Sequence, residues 1–150
     1  MQLSDVLTTD RVQLDLTVSS KKTLLERMAT LLATESGGAD EREIFESLCQ
    51  RERLGSTGLG QGVAIPHGRN DEQKEIIGAV IRLKKPIDFD APDQQPVDLF
   101  FALAIPSQCS DAHLELLANI ADFFKDSEHR EVFRQTIDAE RIIELMSDDE

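Results

Sequence analysis

Residues 11–18, Arg-Val-Gln-Leu-Asp-Leu-Thr-Val, alternate polar and apolar with period two, which predicts a half-buried strand. The period then changes. Leu24, Leu25, Met28, Leu31 and Leu32 recur at helical spacing behind a possible cap at Ser19 or Ser20, and Gly37-Gly38 supplies a left-handed stop. Asp40 followed by Glu43 reads as a capping box for a second helix that buries Ile44, Phe45 and Leu48 and ends in Arg51-Glu52-Arg53. Val63-Ala64-Ile65 predicts a short strand that stops at Pro66, which fixes φ and lacks a ladder donor. Residues 76–83 and 97–105 are near-continuous apolar runs, the pattern of strands buried on both faces, separated by a turn-rich segment at 85–93. Pro106 ends the second run. Ser107 or Ser110 opens a helix carrying Leu114, Leu117, Ala118, Ala121 and Phe124 on one face; Ser127 and Asp138 cap two shorter helices, and Asp148-Asp149-Glu150 forms a solvated acidic tail.

The order is therefore strand, two helices, three strands, three helices, with no internal repeat and no linker long enough to divide it. It predicts a single α/β domain over residues 1–150, three layers α/β/α with a mixed sheet flanked by helices. Its 150 residues suffice for one core without disulfide staples. Sixteen Lys and Arg against 29 Asp and Glu leave a net charge of −13, which disfavours nucleic acid and anionic membrane surfaces and favours a basic protein partner. No apolar run approaches the roughly 18 residues of a spanning helix, and the first five residues lack the features of a signal peptide. A cytoplasmic protein without membrane insertion is expected. Cys49 and Cys109 stand apart in sequence, so reduced thiols are expected.

The chemistry concentrates at residues 55–69, Gly-Ser-Thr-Gly-Leu-Gly-Gln-Gly-Val-Ala-Ile-Pro-His-Gly-Arg. Gly55, Gly58, Gly60 and Gly62 allow close backbone approach, and His67 is expected just past a strand end, open to another molecule. An imidazole there can shuttle protons, bind metal or act as a nucleophile. His113 is expected in the first turn of the helix that follows the last strand. If the two strands run parallel, both histidines share the rim at their carboxyl ends, where a helix N-terminus also suits an anion. The glycine run lacks a Gly-Lys-Ser/Thr ending and precedes a strand, against a nucleotide loop. A zinc site would need His67, His113, His129, Cys49 and Cys109 to converge without local ligand spacing. His129 reads as a solvated surface residue, Cys49 as core packing, and Cys109 as a turn residue without an activating neighbour.

The run Arg51-Glu52-Arg53-Leu54-Gly55-Ser56-Thr57-Gly58-Leu59-Gly60-Gln61-Gly62-Val63-Ala64-Ile65-Pro66-His67-Gly68 resembles the enzyme IIA domain of the fructose/mannitol class of the bacterial phosphotransferase system. Pro96–Leu103 and His113-Leu114 extend the resemblance, which covers about residues 3–145. The standalone length and the Gly-Ser-Thr-Gly wording are most similar to the nitrogen-regulatory members of that class. The resemblance implies that His67 receives a phosphoryl group from an HPr-like carrier, with His113 the second active-site histidine and Arg51 facing the phosphate. It further implies Ser56, Thr57 and Gly58 around the phosphate, no metal or other cofactor, and regulatory target proteins that distinguish the two phosphorylation states. Two alternatives remain open on these residues: a soluble component passing phosphate to a sugar permease, and an interaction module that no longer accepts phosphate.

Overall fold

The computed structural model describes residues 2–33, 38–109 and 111–147. Two short 3-10 turns, Leu3–Val6 and Thr9–Arg11, precede strand β1 (Val12–Leu16). Helices α1 (Lys21–Leu32) and α2 (Glu41–Arg53) follow, then β2 (Gly58–Gly60), β3 (Val63–Ala64), β4 (His67–Asn70), β5 (Ile77–Ile87) and β6 (Val97–Pro106). Helices α3 (Ala112–Lys125), α4 (Ser127–Gln135) and α5 (Ala139–Ser147) close the chain. No helix among the described residues is long and apolar enough to cross a membrane.

The sheet is mixed, in the order β1-β5-β6-β3-β2, with β4 also paired to β6. β6 is antiparallel to β5 on one side and parallel to both β3 and β4 on the other. Its side chains divide by the strand period of two. From Leu99 onward, Phe100, Ala102 and Ala104 enter the core under α1 and α2, whereas Leu99, Phe101, Leu103 and Ile105 enter a second core under α3, α4 and α5; Val97, beyond the register shift, joins the first. Two cores on opposite faces of one sheet give the three layers that the apolar runs imply.

The N-terminal helices follow their sequence signals closely. Ser20 caps α1 by accepting the Thr23 N–H at 3.2 Å, and Asp40 with Glu43 forms the reciprocal capping box of α2 at 2.8 and 3.0 Å. α1 ends at Leu32 with Ala33 as its cap, so the expected stop at Gly37-Gly38 falls largely outside the described residues. So do Ser110 and the acidic tail.

Other expectations need correction. β1 stops at Leu16, short of the expected Val18, and its register against β5 shifts around Asp15, which sits at φ 59°. β5 runs on to Ile87 through Lys84, Lys85 and Pro86, residues that the turn reading would have excluded; these three are less buried than the strand centre or sit past a register shift. The glycine loop itself forms a small hairpin, β2 and β3, around Gln61 at φ 59° and Gly62 at φ 80°. Asp111 precedes α3 in place of Ser107, and Asp126 caps α4 in place of Ser127 by accepting the Glu128 N–H at 2.8 Å. The buried face of α3 is His113, Leu116, Ile120, Phe123 and Phe124, one step round from the stripe read in sequence, and Leu114 is 57% exposed. The helix carries two overlapping apolar stripes, and only contact with the sheet selects between them. His129 is also not simply solvated: its ring stacks on Phe123 at 4.2 Å, with Nδ1 2.7 Å from the Phe123 carbonyl oxygen.

Candidate functional site

Pro66 interrupts the edge alongside β6 without ending it. Gly62 O accepts the Leu99 N–H and Pro66 O accepts the Leu103 N–H, both at 3.0 Å, so the chain from 62 to 70 tracks β6 throughout. His67 therefore begins a strand of its own, opposite Leu103, and is partly buried. It is not an open residue beyond a strand end, because β6 extends far enough to hold it in the sheet.

Helix α2 reaches this strand through a position without a side chain. A Cβ on Gly68 would come within 2.8 Å of the Ser47 carbonyl carbon and Cβ and would strike Ser47 Oγ. The Ser47 hydroxyl instead donates to Ile44 O at 2.8 Å and accepts Asn70 Nδ2 at 3.1 Å. Arg51 and Leu54 lie one and two turns beyond Ser47 on the same helix face, which carries them over His67. On the other side, Arg69 Nη2 donates to Ser107 O at 2.7 Å and to Cys109 O at 3.0 Å, fastening the approach to α3 onto β4. His113 sits in the first turn of that helix.

These contacts enclose a cleft of about 280 Å³ lined by Arg51, His67, His113 and Arg69, with Leu54, Leu114 and Leu117 among its apolar parts. The condition set by the sequence is thus met: β3 and β4 run parallel to β6, and His67 and His113 share one rim. Ser56, Thr57 and Gly58 do not line it. Ser56 Oγ donates to Phe89 O at 3.1 Å and accepts the Gly58 N–H at 3.0 Å; Gly58 lies where a Cβ would be 2.9 Å from Ala91 Cβ. Thr57 is buried, with both its N–H and its hydroxyl directed to the Glu52 carboxylate. The hydroxyls that sequence assigned to a phosphate are engaged within the protein.

The hydrogen bonding of His67 decides its chemistry. Nδ1 lies 2.8 Å from the Ile65 carbonyl oxygen. A carbonyl can only accept, so Nδ1 carries the proton and Nε2 keeps its lone pair. Burial is the largest influence on the ring and lowers its pKa below the ordinary 6.5; the Ile65 carbonyl opposes this, Arg51 and His113 add to it, and Glu52 opposes it. The outcome is a neutral imidazole at neutral pH with a nucleophilic nitrogen on the side away from Ile65. His113 is 8% exposed, and among the described residues its buried Nδ1 has no hydrogen-bond partner. Its Nε2 is then the nitrogen available to the cleft.

Sequence reasoning missed Arg69, Ser47 and the rim leucines. Arg69 was quoted only as the end of the glycine stretch, and nothing in its spacing shows the carbonyls it will meet 38 and 40 residues away. Ser47 could have been found from the helical offset that places it under Arg51.

A family model, "Phosphoenolpyruvate-dependent sugar phosphotransferase system, EIIA 2", matches residues 5–149. The nitrogen regulatory protein of Pseudomonas aeruginosa is 41% identical over 148 residues, 99% of this chain and 96% of that one. The crystal structure of nitrogen regulatory protein IIA-Ntr from Neisseria meningitidis superposes with a TM-score of 0.92 at 41% identity, covering 96% of this chain and 98% of that one. At 17% identity, and so as a likeness of fold alone, enzyme IIA for mannitol from Escherichia coli, solved in complex with phosphorylated enzyme IIB, gives a TM-score of 0.81 over 94% of this chain and 96% of that one.

Proposed function

The chain belongs to the EIIA 2 family of the phosphoenolpyruvate-dependent sugar phosphotransferase system, and from that premise we propose that it is a histidine phosphocarrier whose output is regulatory. His67 Nε2 takes a phosphoryl group from a histidine of an HPr-like donor. The donor's N–P bond breaks as the Nε2–P bond forms, and the donor imidazole departs with its electron pair. Little covalent chemistry is asked of the surroundings beyond positioning and charge stabilisation. As Nε2 gives up its pair, positive charge grows on the ring and its Nδ1–H, where the Ile65 carbonyl, 2.8 Å away, receives it. Arg51 supplies a cationic fork for the equatorial oxygens, and His113 adds a ring that can hydrogen-bond to them.

The observation that carries the reading is the Nδ1 contact to Ile65, which fixes a nucleophilic tautomer inside a cleft that also holds Arg51 and His113. The likeness to nitrogen regulatory proteins over the full chain supports a regulatory output. A phosphoryl group on His67 adds negative charge at a rim bordered by exposed Leu54 and Leu114, so targets of suitable shape bind one state over the other.

The test is mass spectrometry under alkaline conditions after incubation with phosphoenolpyruvate, the first enzyme of the system and an HPr-like carrier. Wild type is expected to gain one acid-labile phosphoryl group and His67→Ala none. No gain by the wild type with a competent donor set would refute the carrier chemistry and leave a protein-binding module.

A further inference from the structure

Glu52 is next to Arg51 in sequence but turned away from the cleft, and it is 8% exposed. One oxygen pairs with Lys21 Nζ at 3.0 Å; the other accepts the Thr57 N–H at 3.0 Å and the Thr57 hydroxyl. Lys21 is itself fixed, 4.6 Å over the Phe89 ring and 3.4 Å from Asp90. Glu52 therefore joins the start of α1, the end of α2 and the turn that follows α2.

That turn holds Arg51. The guanidinium Nη1 donates to Gly55 O at 2.8 Å. Gly55 has φ 152°, and a Cβ built there would meet no heavy atom within 4 Å beyond its chain neighbours. The turn is restrained by the Gly55 N–H to Glu52 O at 3.2 Å and by the anchoring of Thr57 to the Glu52 carboxylate, together with Ser56 Oγ on Phe89 O at 3.1 Å and the Ile65 N–H on Thr57 O at 3.0 Å. A carboxylate buried this far is costly unless paired and hydrogen-bonded, and here both conditions are met.

We infer that Glu52 is a positioning residue for phosphoryl transfer: by fixing the turn at 55–57 it sets where the Arg51 guanidinium stands over His67. This rests on the phosphocarrier reading above. Glu52 makes no contact with the reacting atoms; apart from the field of its charge on the His67 ring, its effect passes through Arg51.

The experiment is a double-mutant cycle on the full chain. It measures the maximal rate and half-saturating donor concentration for transfer of labelled phosphate from a phosphorylated HPr-like carrier. Glu52→Gln is expected to lower the maximal rate on the order of 100-fold, the scale of an ångström's misplacement of a transition-state group. The half-saturating concentration stays within about twofold, because ground-state docking is untouched. Adding Glu52→Gln to Arg51→Ala should bring only the small further loss due to removing the Glu52 charge from the field at His67. If Glu52→Gln does not fold, Thr57→Val, which removes only the hydroxyl's bond, takes its place in the cycle with a loss of about 10-fold, one hydrogen bond's worth. A full rate in the single variant, or losses that multiply in the Arg51→Ala background, would overturn the inference while leaving the carrier reading intact. Absence of transfer to the wild type would overturn both.

Discussion

Replacing Gly68 by alanine tests how the cleft is built. The new Cβ lands 2.8 Å from the Ser47 carbonyl carbon, a backbone atom that cannot rotate away. Opening that contact to the ordinary 3.4 Å moves the α2 backbone off β4 by about 0.6 Å. Overpacking of this kind costs about 1–3 kcal/mol. For a chain of this length each kcal/mol lowers the melting temperature by about 2–4 °C, so Gly68→Ala should melt roughly 2–12 °C below wild type. The same displacement carries Arg51 away from His67, with an expected loss on the order of 10-fold in phosphoryl transfer on the scale by which misplacement penalises catalysis. Calorimetry and a transfer assay on one preparation give both numbers. A variant melting within about a degree of wild type and transferring at the wild-type rate would refute the claim that α2 needs a position without a side chain to reach the site.

Two further outcomes follow from buried groups. Arg82, 5% exposed, donates Nη1 to the carbonyls of Phe133 and Thr136 and pairs Nη2 with Asp15 at 3.0 Å; Arg82→Ala should lower the urea midpoint by the equivalent of about 3 kcal/mol with an unchanged slope, through the carbonyls left unpaired. Because the native pKa of His67 lies below 6.5, the unfolded chain binds more protons between the two values, so stability falls as pH drops from 6.5 through the native value; His67→Ala should remove this component, and the imidazole resonances of wild type should report a midpoint below 6.5.

The layers and both buried strands were legible because their signals are local: apolar runs of eight or nine residues and caps such as Ser20 and Asp40 act within one turn. Arg51, His67 and His113 were identified by resemblance, and Pro66 and the helix start placed the histidines nearly correctly. What sequence hid depends on contacts across the fold. β4 exists because β6 is there to pair with it, and the face that α3 buries is chosen by the sheet. Ser56 and Thr57 show the limit most clearly: the resemblance places both hydroxyls around a phosphate, until Phe89 O is seen to take the first and a buried carboxylate five residues earlier the second.

The pairing of residues 62–70 along β6 ties His67, on the flanking strand β4, to the most deeply embedded strand of the domain. The hydrogen bonds of that pairing are made by main-chain groups, not by the His67 ring. A modification there would therefore announce itself through electrical potential at an unchanged shape, and added salt would dull the message by shortening the distance over which it can be read.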